Sequence, residues 1–424
     1  MPDVPQTRPT HDDPNGWSTH MTPRDPAAVI RRHQTTPQSA QAPVVAGLSG
    51  ARLTAADGSE WLDAATGGFG SGHPAVLATL REQAQRVALS SRILLSRPLA
   101  RAVQALSDFV PDPLTVSYLC NSGAEALDSA LKLAKGLHPA RRRVLGIAGE
   151  DFGSLTHGQG LALDGSPVPA LPLQPYTVPA TEPNALLSKL GPEVAAVVIA
   201  PAAPGRPLAR LSAHWWRALR RQCTQDDILL ILDERLTGPA RLGHGLGSEA
   251  LGIVPDVVVL GESLGADAVP VGVMVTSRAT YDRVYAGRNP SLHGSTFGAN
   301  PLSAAAVGAV LRALDDDDLA GRQQHAEIAA RDVLEGVADP AGPVREFCAD
   351  GSLVWLRLAD AGLADALRAA LAERRVLVRP ASDGAPDVVP VLPPLTADPA
   401  DVREIFRAVR SATDQLRSPV EVLA

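Results

Sequence analysis

The chain has 424 residues, enough for two to three structural units and a sizeable core. Apolar residues make up 45% and charged residues 20%, which excludes global disorder, and a net charge of −7 with no basic face argues against nucleic acid as a partner. Of 39 basic residues only Lys132, Lys135 and Lys189 are lysines, so chemistry that needs an amine has three places to occur.

Residues 1–45 are rich in Pro, Thr, Gln, Asp and His and read as an irregular arm, with a short helix expected over 27–33. The opening lacks a basic stretch followed by an apolar run, and no apolar run approaches membrane-spanning length, so a soluble cytoplasmic protein is expected. Amphipathic helices follow at 74–88 and 98–109. Strands and helices then alternate: strand 115–119, helix 124–136, strands 143–147 and 194–199, helix 213–223, strands 228–232 and 257–260. Each strand is a short β-branched apolar run, as a sheet buried on both faces requires, and the alternation predicts an α/β fold with a mainly parallel sheet. Helices at 301–314 and 319–336 lead into a smaller α+β unit that begins with a strand at 353–358. The expected division is an arm (1–45), a segment packing with the small domain (46–95), a large α/β domain (96–305) and a small C-terminal α+β domain (306–424). Cys120, Cys223 and Cys348 are widely spaced, form no CxxC pair and read as free core thiols.

Four stretches could carry chemistry. Asn121-Ser122-Gly123-Ala124-Glu125-Ala126 follows a strand and opens a helix, where free backbone N–H groups favour an anion; the same residues also suit a simple N-cap at Ser122. Asp233-Glu234 ends a buried strand, where α/β sheets bind ligands, and could equally be a structural cap. Gly261-Glu262-Ser263-Leu264-Gly265 follows the next strand, and His293-Gly294-Ser295-Thr296-Phe297 precedes Asn300-Pro301. No metal-ligand pattern stands out.

In this order and spacing the four stretches resemble the class III aminotransferases, fold-type I enzymes that use pyridoxal 5'-phosphate (PLP). The resemblance runs from about Leu62 to Leu395. It includes Gly70-Ser71-Gly72-His73-Pro74, the family's Asp-Glu-Val-Gln-Thr-Gly-Phe-Gly-Arg segment at Asp233 to Arg241, and Pro393-Pro394-Leu395. It implies that Ser122, Gly123 and Ala124 form a phosphate cup, that Phe152 stacks on the pyridine ring and that Asp233 keeps the pyridine nitrogen protonated. Thr296 would reach the phosphate of a neighbouring subunit's cofactor.

The family's Gly-Lys-Ser/Gly-Leu-Gly-Gly-Gly segment reads Gly261-Glu262-Ser263-Leu264-Gly265-Ala266-Asp267, so Glu262 replaces the Schiff-base lysine. A carboxylate cannot form an imine, and that lysine also serves as base in the proton shift. The arginine that clamps a substrate carboxylate aligns with Pro390, the ring-contacting Gln with Leu236, the Glu of a Glu-Pro segment with Ala200, and a His with Gly153.

The resemblance and its departures together suggest a class III aminotransferase-like protein with a degenerate site, acting as a non-catalytic or regulatory partner of an active paralogue. A homodimer or heterodimer is expected, with the loop at Thr296 completing a partner's phosphate site. PLP or pyridoxamine 5'-phosphate, if held, would be noncovalent. A second reading is a lysine-independent enzyme with Glu262 as general base. A third is a transaminase with an unusual site, and a fourth is a module binding a small molecule or peptide in the vacated pocket.

Overall fold

The computed structural model describes residues 43–91, 94–153, 173–180, 182–287, 294–382 and 384–417, with 29, 32 and 155. Most of the 1–45 arm lies outside them; of its expected helix over 27–33 only Val29 and Arg32 are described, both helical.

In chain order the strands, and the helices of eight or more residues, are β1 (Val45–Ser49), β2 (Arg52–Ala55), β3 (Glu60–Asp63), α1 (Pro74–Arg86), α2 (Arg97–Phe109), β4 (Leu114–Cys120), α3 (Gly123–Leu137), β5 (Arg143–Ile147), β6 (Gln174–Val178), β7 (Val194–Ile199), α4 (Ala213–Gln225), β8 (Leu229–Asp233), β9 (Val257–Leu260) and β10 (Gly272–Ser277). They continue with α5 (Arg278–Tyr285), α6 (Pro301–Asp316), α7 (Leu319–Val333), β11 (Val344–Asp350), β12 (Leu353–Leu358), α8 (Ala361–Glu373), β13 (Val376–Leu377), β14 (Val388–Val391) and α9 (Pro399–Arg417).

Seven strands form the central sheet in the order β4-β10-β9-β8-β7-β5-β6. From β9 to β6 every neighbouring pair is parallel, while β10 runs antiparallel to both β4 and β9. The alternation of apolar strands and helices therefore gives the expected mainly parallel sheet. It does not reveal β10, because an antiparallel neighbour needs only a loop and leaves no crossover helix as a signal.

All residues of β7, β8 and β9 are buried. Alternate side chains explain why. Val144, Ala196, Val198, Ile231 and Val259 face Ala126, Leu127, Ala130 and Ala134 of α3 on one side. On the other side Leu145, Val197, Ile199, Leu230 and Leu232 meet Trp215, Trp216 and Leu219 of α4. With both faces covered, the strands carry no polar alternation.

A three-stranded sheet, β11-β12-β14, packs with α7, α8 and α9 around a second core. The first strands join this end of the chain, since β13 pairs in parallel with β3 through Val376 opposite Leu62. Because β10 is antiparallel to both of its neighbours, β4 and β9 point the same way. The carboxyl ends of β4, β5, β7, β8 and β9 therefore open on one edge, where α/β folds place ligands.

Arg241 ties the loops at this edge together. Its guanidinium is buried and donates to the carbonyls of Leu236 (3.1 Å), Pro393 (3.1 Å) and Gly67 (2.5 Å) and to Ser352 Oγ (2.9 Å). Burial pulls its pKa down to about 9, against the raising influence of Asp267 and Asp63. Arg241→Leu leaves several buried acceptors unpaired, each costing about 1–3 kcal/mol. Denaturant unfolding of this variant is expected to show a loss of at least about 3 kcal/mol.

All three cysteines are free and buried, and burial pushes the Cys120 and Cys223 thiols up to about 12. The thiolate is the reactive form. A native-state thiol titration at mildly alkaline pH is expected to find none of the three reactive, and all three are expected to react in denaturant.

Candidate active site

A cavity of about 530 Å³ lies at the carboxyl edge of the central sheet. Its walls come from the ends of β5 (Asp151), β7 (Ala200), β8 (Asp233, Arg235, Leu236) and β9 (Glu262), closed from the far side by Thr66, Gly68, Arg379 and Pro390. Ala200, Leu236, Glu262 and Pro390, the four positions at which the resemblance leads one to expect Glu, Gln, Lys and Arg, thus line one space. Lys132, Lys135 and Lys189 do not line it. Lys132 and Lys135 project from α3, and Lys189 lies over the ring of Tyr176.

Ser122 begins α3 as an N-cap, its Oγ accepting from Glu125 N at 3.1 Å. Glu125 Oε2 in turn accepts from Asn121 N at 2.9 Å, so the turn at the end of β4 is locked from both sides. Gly272 of β10 must lack a side chain, because a Cβ there would lie 2.0 Å from the Ser122 carbonyl oxygen. At the head of α3 the amide of Gly123, which is buried, donates to Glu262 Oε1 at 3.0 Å. Glu262 opens a short 3-10 turn just after β9, so the carboxylate meets the helix end where an anion is favoured.

Asp233 ends β8 and is 5% exposed. Its partner is Arg235, two residues on: Nε lies 2.9 Å from Oδ1 and 3.1 Å from Oδ2, and Nη2 lies 2.7 Å from Oδ2. Nη2 also donates to the Asp151 carbonyl. Burial disfavours the guanidinium charge, but the attraction of Asp233 outweighs it and its pKa is raised. Glu234, beside Asp233, faces away. It is fully buried and accepts from Gly247 N (2.9 Å), Ser248 N (2.8 Å) and Thr237 Oγ1 (2.7 Å), so it serves as a cap for the following loop.

Asp267 Oδ2 accepts from Gly70 N at 2.7 Å, joining the β9 loop to the glycine-rich segment 67–72. Burial raises the Asp267 pKa, and Asp63 and Glu262 add to the effect. Arg379 donates to the carbonyls of Ala65 (2.8 Å) and Thr66 (3.0 Å).

The structure brings together Ser122, Gly123, Asp233 and Glu262, with Ala124 beside them in the first turn of α3. It does not bring Phe152 into the cavity wall. That ring is 1% exposed and packs in the core among Leu127, Val144 and Ala126. Thr296 is exposed on a loop tethered to the cup by Ser295 Oγ, which accepts from Asn121 Nδ2 at 2.7 Å. His293 lies outside the described residues. Reading motifs in order missed Arg235, although it stands where the family segment has valine; that mismatch was the available signal. Among the described residues no group of His, Cys, Asp or Glu could hold a metal ion.

PLP, which the resemblance implies, does not fit the side chains in this arrangement. The acid that would hold its ring nitrogen is already paired with a guanidinium, and the cup amide is already paired with a carboxylate. No amine lines the cavity for an imine.

Comparison with known proteins identifies the scaffold. The family model for class-III aminotransferases matches residues 36–157 and 168–413. The acetylornithine aminotransferase 1 of Bradyrhizobium diazoefficiens is 31% identical over 379 residues, covering 84% of this chain and 88% of the relative. Among solved structures, the ornithine aminotransferase of Toxoplasma gondii superposes with a TM-score of 0.79 at 24% identity, covering 92% of this chain and 94% of its own. An amine transaminase from an uncultivated Pseudomonas species, in its PLP-bound form, gives a TM-score of 0.80 at 22% identity, with 91% and 98% covered. A transaminase from the marine bacterium Virgibacillus gives 0.82 at 19%, with 92% and 98% covered. At these identities the structural likeness establishes the fold, which is that of the fold-type I PLP transaminases.

Removing one partner of a buried ion pair costs about 3–5 kcal/mol because the other charge is stranded. Asp233→Ala and Arg235→Leu are each expected to lose stability on that scale in denaturant titrations. The double variant should lose much less than the sum, with a coupling energy of at least about 2 kcal/mol.

Proposed function

Because the chain belongs to the class III aminotransferase family, we propose that it is a member without transaminase chemistry, serving as the non-catalytic half of a pair with an active paralogue. The observation that carries this reading is Glu262. It occupies the end of β9 where an imine-forming amine would stand, and its carboxylate is bound to the Gly123 amide. No carboxylate can replace an amine as both covalent anchor and proton carrier.

The substitutions around it agree. Leu236 and Pro390 offer the cavity wall no side-chain donor for a ring oxygen or a substrate carboxylate, and Ala200 offers no acid. The alternative role for Glu262, as general base on a noncovalent cofactor, requires Asp233 and the cup amide to be available to that cofactor. Both are engaged by side chains of this chain.

Two surface features support pairing. Thr296 and Phe297 are exposed on the loop tethered to the cup, where a neighbouring subunit could receive them. Val87, Leu89, Leu94 and Leu95 are exposed nearby, and Leu302 N donates to the Ala88 carbonyl, joining that segment to the start of α6. Exposed apolar side chains gathered in this way mark an interaction surface.

The purified chain, mixed with PLP and an amino donor, is expected to show no imine absorbance that borohydride fixes and no amino transfer. Mixed with a lysine-bearing paralogue, it is expected to form a heterodimer by light scattering, and Thr296→Ala should lower the partner's activity. A chain that transfers amino groups alone, or one that neither self-associates nor binds a paralogue, would sink the reading.

A further inference from the structure

Asp233 is a buried carboxylate, and its charge has to be answered by donors or a cation within reach. In this chain the cation is built in. The Arg235 guanidinium lies flat against both Asp233 oxygens and reaches the Asp151 carbonyl. Its stem crosses the head of α3 so closely that a Cβ on Gly123 would stand 2.7 Å from Arg235 Cδ. A Cβ on Gly153 would stand 3.2 Å from Nη1, so the loop after β5 closes on the other side. Glu262 fills the adjoining place at the Gly123 amide and is near enough to attract the guanidinium.

A planar cation on the acid of β8 and an anion on the amide of α3 are the same two charges that a pyridinium ring and its phosphate would present there. We propose that Arg235 and Glu262 together form an internal occupant of the cofactor site, which holds PLP out and lets the fold stand without it. This rests on the reading above that the chain carries no transaminase chemistry, and extends it: the site is not merely missing a lysine, it is filled. Arg235 is the residue that excludes the ring, and Asp233 persists because it holds Arg235.

The test compares the full-length chain with Glu262→Lys, Arg235→Val and the double variant, each titrated with PLP and followed by absorbance, borohydride trapping and thermal melting. The unaltered chain is expected to show no shift in melting temperature at about 1 mM PLP, because a ligand that does not bind the native state cannot stabilise it. Glu262→Lys alone should form little imine, since the ring site is still filled. Arg235→Val/Glu262→Lys should form a trappable imine and bind PLP at least about tenfold more tightly than Glu262→Lys. Removing Arg235 strands Asp233 and could prevent folding. Asp233→Asn/Arg235→Val/Glu262→Gln leaves no stranded charge and no anion at the cup amide, and it should bind PLP noncovalently and melt higher with PLP than without it.

If Glu262→Lys forms imine as completely as the double variant while the unaltered chain forms none, the internal occupant is refuted and the non-catalytic reading survives. If Asp233→Asn/Arg235→Val/Glu262→Gln folds and gains no PLP binding, the outcome is the same. If the unaltered chain itself forms a trappable imine, both fall.

Discussion

The site is organised by one buried ion pair, between Asp233 at the end of β8 and Arg235 two residues later. A carboxylate at the end of a fully buried strand is largely stripped of water, so its charge must be answered nearby. Once Arg235 answers it, the long side chain has to go somewhere. It passes over Gly123, beneath Gly153 and onto the Asp151 carbonyl, and the cavity floor is set by that path. Glu262 then meets the Gly123 amide at the head of α3.

The residues that hold the scaffold and those that carry chemistry separate cleanly. Arg241 and Glu234 lie in the same family segment as Asp233, yet both turn into the protein and satisfy backbone groups of the loops around them. Their loss would leave several buried polar groups unpaired, so they are required whatever the site does. Ala200, Leu236 and Pro390 line the cavity with side chains that hold no loop, and Glu262 lines it with its carboxylate on the Gly123 amide.

The central sheet was legible because its signal is strong. Strands β5, β7 and β9 have the bounds that their short β-branched apolar runs predict, and α3 and α4 differ from expectation by one or two residues at an end. The antiparallel β10, the edge strand β6 and the small sheet of β1, β2, β3 and β13 were not legible. The pairing of β13 with β3 joins Val376 to Leu62 across most of the chain, and pairing at that range leaves no local periodicity.

For the site, sequence alone determined which residue types stand at the ends of the strands. It set Glu262 just after β9, Ser122 and Gly123 at the head of α3 and Asp233 at the end of β8, because motif order follows the chain and local turn chemistry is written in adjacent residues. Tertiary structure decided where those groups point. It turned Phe152 into the core and closed Arg235 onto Asp233, and it set Glu262 on the amide of Gly123, a partner 139 positions away. Direction is fixed by packing and by the pairing of buried charge, and neither is a property of a segment read by itself.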